Sequence, residues 1–239
     1  EYYRELEPRI MADIDILVKP ETLDYAVDTL EGHGWRYTDA RGKSKNYWMK
    51  YGQHMQMGKK DSHYSIDLHF KLVTDSSPMN VDDSIWDDKR QIKSGKNRCN
   101  VLSPENLAIN TCIAYGGGGF FHTTPLRYLL DIKKIVSKEK KFDWIKFMET
   151  CTRWNCQAFA YKSLDLSEKI LGAKIQEDVI ETLKSASSKK HLIYVNKVHE
   201  KNIFKDYLSS YTIKDYIYEL YLSPNMIELG RLMLRPLTK

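Results

Sequence analysis

Two aspartates stand two positions apart in an apolar segment near the start of the chain, in the run Asp13-Ile-Asp15-Ile-Leu-Val. Side chains alternate faces along a β-strand, so the apolar residues take one face while Asp13 and Asp15 take the other. Two like charges roughly 5 Å apart repel by about 3 kcal/mol at an effective dielectric constant near 20, and such a pair needs a counter-charge. The segment therefore predicts a strand whose polar face binds a divalent cation.

A third carboxylate, Asp67, occurs in a downstream segment with the same alternation. The apolar residues of segment 64–70 occupy alternate positions, which leaves Asp67 and His69 on the opposite face. If this strand lies beside the first, Asp67 comes within about 5 Å of the pair, because neighbouring strands are about 4.8 Å apart. Oxygen-only ligands suit Mg²⁺ or Mn²⁺, which take their remaining ligands from substrate phosphates. We therefore predict Asp13, Asp15 and Asp67 as metal ligands and catalytic residues of phosphoryl or nucleotidyl transfer.

Further motifs accompany these carboxylates within residues 2–170. They are Tyr2-Tyr3, Arg9, the Asp13 to Val18 run, Ile66-Asp67-Leu68-His69, Leu102-Ser-Pro-Glu105 and Leu126-Arg-Tyr-Leu-Leu-Asp131-Ile. Together they resemble the DNA polymerase β-like nucleotidyltransferase superfamily, and within it the uncharacterised bacterial branch. The resemblance implies an α+β fold, with a mixed β-sheet domain and flanking helices followed by an all-α domain.

The resemblance also implies a reaction and a set of roles. In the superfamily, an Asp-x-Asp or Asp-x-Glu pair and a later carboxylate hold two metal ions. The implied activity is transfer of NMP from an NTP to an unknown acceptor, which is a small molecule, a protein or an RNA. Asp13 and Asp15 would bridge both ions, and Asp67 would bind the ion that activates the acceptor.

One superfamily feature is missing from these residues. Members carry a glycine-containing turn before the aspartate pair, whose backbone amides bind the nucleotide phosphates. Here Asp13 follows Glu1 by only twelve residues. We expect the turn to lie upstream of Glu1, so that the domain is truncated at its N-terminus. If the turn is truly lost, the protein would be a nucleotide- or partner-binding module without turnover; a toxin-like tRNA nucleotidyltransferase is a second alternative.

Arg9 and His69 are predicted to contact the nucleotide, and each has a structural alternative. The planar guanidinium of Arg9 suits a triphosphate, but it equally suits an ion pair that orients one of the aspartates. His69 shares the face of Asp67, where it would orient a metal-bound water or the nucleotide, or support a ligand from behind.

Length and composition set the remaining expectations. A chain of 239 residues with 42% hydrophobic residues can form two modest domains, which we predict at 1–103 and 104–239. Charge is distributed unevenly between the two predicted domains: residues 1–103 hold 16 Lys and Arg against 17 Asp and Glu, and residues 104–239 hold 21 against 15. The basic second domain suits a polyphosphate substrate, or its charges simply form a solvated surface. Nucleic acid stays open as a partner, although no recognised binding module appears.

The four cysteines lack zinc-like spacing, and no apolar run is long enough to span a membrane, so we expect a cytoplasmic protein.

Local patterns predict the secondary structure. The first domain should contain a helix from Pro20 to about Gly32, then strands at 35–38, 46–51, 54–57 and 64–70, with a hairpin turn at Gly52-Gln53. Segment 75–100 is hard to assign, apart from a short acidic helix around Ile85. Helices are predicted at 104–115, 121–137, 142–152, 155–171, 176–186, 188–200 and 213–221, with another after Pro224. The glycine run 116–119 lacks the strand and Lys-Ser/Thr of a phosphate-binding loop, so it predicts an interhelical hinge.

Overall fold

The computed structural model describes residues 2–3, 9, 11, 13–38, 42, 44–75, 77–118 and 126–200. The chain forms two compact units, one within residues 3–75 and one made of the residues from 76 onward together with Tyr2. The α+β class is confirmed, because one unit contains a mixed sheet and the other is mainly helical. The units divide upstream of residue 103, and the predicted domain division at that residue stays a prediction.

The first unit is built around a four-stranded sheet. Its strands are β1 (Asp13–Leu17), β2 (Trp35–Tyr37), β3 (His54–Lys59) and β4 (Ser65–His69), in the order β1-β4-β3-β2. β1 pairs with β4 in parallel, whereas β4 with β3 and β3 with β2 are antiparallel. The strand that carries Asp13 and Asp15 and the strand that carries Asp67 are thus adjacent, as the carboxylate argument required.

One face of this sheet is covered by an amphipathic helix. A 3₁₀ turn at Pro20–Thr22 leads into α1 (Leu23–Gly32), as the sequence predicts. Leu23 and Val27 of α1 are buried in a cluster with apolar side chains of β3 and β4 and of the residue after β4, namely Met55, Met57, Ile66, Leu68 and Phe70. Because side chains alternate along a strand, burying this set fixes the neighbouring polar residues on the opposite face.

The predicted strand at 46–51 is wrong, because these residues form helix α2 (Lys45–Tyr51). Ser44 caps the helix by accepting a hydrogen bond from the Tyr47 amide over 3.2 Å. Tyr47 and Tyr51 lie one turn apart with ring centroids separated by 5.1 Å, and Trp48 packs against the sheet core. The apolar residues at 47, 49 and 51 imitate a strand, but the cap and the aromatic spacing favour the helix. Gly52-Gln53 consequently joins α2 to β3 and is not a hairpin turn.

The second unit begins with elements that the sequence left largely unassigned. The short helix is confirmed as α3 (Ser84–Asp87), and β5 (Lys89–Ser94) and β6 (Asn97–Leu102) form an antiparallel hairpin. Most hairpin side chains are exposed, which explains why no alternation revealed it. Asp88, directly after α3, has partners within the second unit. Asp88 accepts from Ser103 over 2.6 Å and pairs with Lys146 over 2.6 Å.

Six helices follow among the described residues. They are α4 (Pro104–Ile113), α5 (Leu126–Lys138), α6 (Trp144–Arg153), α7 (Gln157–Leu171), α8 (Glu177–Ser185) and α9 (Lys189–Glu200). Ser103 caps α4 with Pro104 at its first position, as predicted. The helices predicted at 213–221 and after Pro224 lie outside the described residues. Of the four free cysteines, Cys99 is exposed and the other three are buried.

The glycine run differs from the predicted hinge. Ala114–Gly118 form a single π-helical turn that continues α4. A Cβ at Gly116 would meet the Phe159 ring at 3.1 Å, so the glycine permits close packing against α7. Gly119 and His122 lie outside the described residues.

Throughout the part of the chain that the structure describes, every helix is too short or too polar to cross a membrane.

Candidate metal centre

Polar side chains from three adjacent strands share the sheet face opposite α1. β1 contributes Asp13 and Asp15, β4 contributes Asp67 and His69, and β3 contributes His54 and Gln56. Asp15 is the register partner of Asp67 on the parallel strand, and His54 is the partner of His69 on the antiparallel strand. Side chains in such positions are about 5 Å apart. The structure therefore brings together two of the three predicted carboxylates and the predicted histidine.

Asp15 and His69 form the shortest polar contact in this group. His69 Nε2 donates to Asp15 Oδ1 over 3.0 Å, with the His69 side chain 16% exposed and that of Asp15 71% exposed. The hydrogen bond lowers the pKa of Asp15, against partial burial, which acts to raise it. Positive charge on His69, His54 and Arg9 lowers the pKa further. Asp15 is consequently an anion that a neighbouring imidazole holds in place.

Arg9 acts on Asp15 through its charge. Its guanidinium contributes to the lowered pKa of Asp15, although it is the weakest of the contributing groups. The ion pair that would orient one of the aspartates, which is the second role considered for Arg9, stays a prediction. Its contact with a nucleotide triphosphate stays a prediction.

Asp67 lies between the two remaining polar side chains of β3. Gln56 Nε2 donates to Asp67 Oδ1 over 3.4 Å, and His54 Nε2 stands 3.6 Å from Asp67 Oδ2. The rings of His54 and His69 are 4.8 Å apart between centroids. Ligand atoms of His54, Asp67 and His69 all lie within 4.8 Å of one another. Among the described residues, this is the group of three whose side chains could hold a metal ion.

His54 was missed by the sequence reasoning, although a signal was present. The run His54-Met-Gln-Met alternates polar and apolar residues, so His54 and Gln56 belong to the polar face of β3. Imidazole nitrogens stand beside Asp67 in the structure, and the expectation that oxygen ligands alone bind Mg²⁺ or Mn²⁺ stays a prediction. What the sequence lacked was the register that places His54 opposite His69.

Asp13 occupies a different position on the same face. It pairs with Ser65 in the register of β1 and β4, one alternation before Asp15. Positions two residues apart along a strand are separated by roughly 6.6 Å. Asp13 is therefore displaced along β1 from Asp15, and it is not part of the His54, Asp67 and His69 group. Its role as a metal ligand stays a prediction.

A comparison with known families now bears on this arrangement. A family model described as an uncharacterised nucleotidyltransferase matches residues 1–172. The chain belongs to this nucleotidyltransferase family. The match covers the whole sheet unit and extends through α7. No curated protein and no solved structure matches the chain.

Membership of the nucleotidyltransferase family implies a divalent cation, and the donor set fits one. Asp15 and Asp67 are register partners on neighbouring strands, and each keeps one carboxylate oxygen outside the hydrogen bonds described above. Two close carboxylates repel each other unless a cation lies between them. Residues able to hold the ion are Asp15 and Asp67, with Asp13 at the end of the same face.

Proposed function

We propose that this nucleotidyltransferase moves the NMP group of an NTP to a hydroxyl or phosphate acceptor and releases pyrophosphate. The observation that carries the proposal is the register pairing of Asp15 with Asp67 on parallel strands of one sheet, in a chain of this family. Under the proposal, Asp13, Asp15 and Asp67 bind Mg²⁺ or Mn²⁺. When bound, these ions neutralise the triphosphate and lower the pKa of the acceptor group.

The residues contribute positioning and proton transfer. The acceptor oxygen forms a bond to the α-phosphorus while the bond from that phosphorus to the bridging oxygen of the β-phosphate breaks. Asp67 takes the acceptor proton at Oδ2, the oxygen that faces His54 Nε2 at 3.6 Å. Asp15 keeps its orientation through the 3.0 Å hydrogen bond from His69. The positive charge of Arg9, which lowers the pKa of Asp15, would attract the phosphates.

A screen of the four NTPs tests the proposal. The full chain is incubated with each α-labelled NTP and Mg²⁺ or Mn²⁺, and both pyrophosphate release and label transfer to candidate acceptors are measured. We expect at least one NTP to be consumed, and Asp67→Asn to abolish its consumption. Asp61→Asn is the matched control, since Asp61 lies in the β3–β4 turn with a positive φ of 65° that asparagine also tolerates.

Two outcomes would contradict this activity. Consumption that survives in Asp67→Asn would point to a contaminating enzyme. Tight binding of an NTP without any consumption, whatever acceptor is offered, would instead indicate a nucleotide-binding module.

A further inference from the structure

We infer that His54, Asp67 and His69 form a binding site for a first-row transition-metal ion, with Asp15 orienting His69 from behind. This site would bind its ion without nucleotide, so it does not depend on the proposed transfer reaction. The ligand class is two imidazole nitrogens and one carboxylate oxygen. Imidazole suits Zn²⁺, Co²⁺, Ni²⁺ or Fe²⁺, whereas Mg²⁺ prefers oxygen ligands.

The geometry of His54 and Asp67 suits a shared ion better than a direct bond. Their 3.6 Å separation is longer than a good hydrogen bond. Metal bonds to nitrogen and oxygen are about 2.1 Å long, so neighbouring ligand atoms of a tetrahedral site stand about 3.4 Å apart. The observed separation is close to that edge length. Ligand atoms of all three residues already lie within 4.8 Å of one another, so small side-chain rotations complete the site.

His69 is arranged in the way that metal-binding histidines usually are. In the neutral imidazole that metal binding requires, the Nε2 nitrogen donates to Asp15 Oδ1, which leaves the lone pair on Nδ1. That Nδ1 atom is buried and has no hydrogen-bond partner within the described part of the chain. A histidine that ligates through one nitrogen commonly donates its other N–H to a carboxylate, which fixes the tautomer and strengthens the ligand. Asp15 supplies that carboxylate.

The solvent exposure of the three side chains leaves a path for an ion to enter the site. Asp67 is 14% exposed and His69 is 16% exposed, so their ligand atoms are partly shielded from water. His54 is 36% exposed and leaves the site open on one side. An open side leaves room for water or a substrate atom among the ligands, as in metal sites that keep a free coordination position.

Metal titration of the tag-free full chain, without nucleotide, tests the inference. We expect Zn²⁺ and Co²⁺ each to bind one ion per chain, with Co²⁺ giving a visible ligand-field band, and Mg²⁺ to bind far more weakly in calorimetry. His54→Gln and His69→Gln should each abolish the one-to-one complex. Asp15→Asn should weaken binding by about 10- to 100-fold, as the loss of a carboxylate behind a ligand does.

His63→Gln is the matched control, because His63 is an exposed histidine in the turn at the other end of the β3–β4 hairpin. It should leave metal binding unchanged. Should a histidine variant fail to fold, NMR of the unmodified chain gives the same information, since Co²⁺ should shift the imidazole protons of His54 and His69 and not those of His63.

Equal affinity for Mg²⁺ and Zn²⁺, or unchanged Zn²⁺ binding in folded His54→Gln, would overturn the inference. This site shares Asp67 with the proposed catalytic centre, but Zn²⁺ binding without nucleotide and NTP consumption with Mg²⁺ are measured separately, so the two proposals can fail separately.

Discussion

At the scale of single residues, the candidate site is organised by imidazoles that hold carboxylates. His69 bonds to Asp15, and His54 stands beside Asp67. Each aspartate therefore has a positively polarised neighbour even before a metal binds, and the two aspartates are register partners one strand spacing apart. A cation bound between them would remove the electrostatic repulsion between their two negative charges.

Asp67→Asn and Asp13→Asn should separate catalysis from folding. Each should abolish NTP consumption yet leave the free energy of unfolding in EDTA unchanged or slightly higher, because a like charge is removed from the polar face. Urea unfolding in EDTA, beside a pyrophosphate-release assay, gives both values. If Asp13→Asn unfolded the chain in EDTA, Asp13 would have a structural partner and the metal role would be lost.

Asp82 provides a pH-dependent contribution to stability in the helical unit. Burial acts to raise the pKa of Asp82, but hydrogen bonds from Ser84 and Trp154 and the charge of Arg153 together lower it below its ordinary value of 3.8. The Trp154 indole donates to Asp82 Oδ1 over 3.1 Å, and Arg153 Nε lies 3.1 Å from Oδ2. Asp82 thereby ties the start of α3 to the end of α6.

A carboxylate with a lowered pKa stabilises the folded state above its unfolded pKa and loses that contribution as pH falls through the folded pKa. Asp82→Asn should therefore lower the free energy of unfolding at pH 7, and the difference from the unmodified chain should shrink below pH 3.8. Urea unfolding followed by tryptophan fluorescence from pH 7 to pH 3 measures this. A difference independent of pH would show that the charge of Asp82 contributes nothing. Solvent exposure of this side chain keeps the effect modest.

At the scale of elements, Gly52 and Gly32 should respond oppositely to alanine. A Cβ at Gly52 would lie 2.7 Å from the Trp48 ring and 2.9 Å from the Trp48 carbonyl oxygen, so Gly52→Ala should cost about 1–3 kcal/mol. A Cβ at Gly32, in α1, meets nothing within 4 Å. Gly32→Ala should therefore stabilise by up to about 1 kcal/mol. Urea unfolding compares the two, and equal effects would contradict the packing of α2 described above.

The elements that the sequence predicted are those with strong local signals. α1 and α4 have clear starts and periodic apolar residues, and β1 and β4 alternate cleanly, so the Asp15 and Asp67 neighbourhood could be predicted. The prediction for α2 was wrong because seven residues contain too few turns to distinguish helical from strand spacing. The π-helical turn was not predicted because Gly116 packs against Phe159, a residue distant in sequence. His54 failed for the same reason, since only the strand register places it beside Asp67.

At the scale of the whole molecule, metal and nucleotide should stabilise the protein cooperatively. Metal and triphosphate complete one another's coordination and bind the folded state, so each strengthens the effect of the other. Mg²⁺ or Mn²⁺ with the preferred NTP should raise the melting temperature by more than the sum of the two separate shifts. Thermal unfolding of the full chain tests this, with Asp67→Asn expected to show no such excess. Simple additivity would count against a shared site.

The sheet topology also implies that the His54, Asp67 and His69 group and Asp15 come together at different stages of folding. His54, Asp67 and His69 lie on one hairpin whose strands are joined by residues 60–64, whereas residues 18–64 must fold back before β1 can pair with β4. Closing the longer loop costs roughly 2 kcal/mol more in chain entropy. We expect the histidine-containing group to assemble early and Asp15 to join it late. A change that loosens edge strand β1 would therefore remove the carboxylate pair first and leave the hairpin group behind.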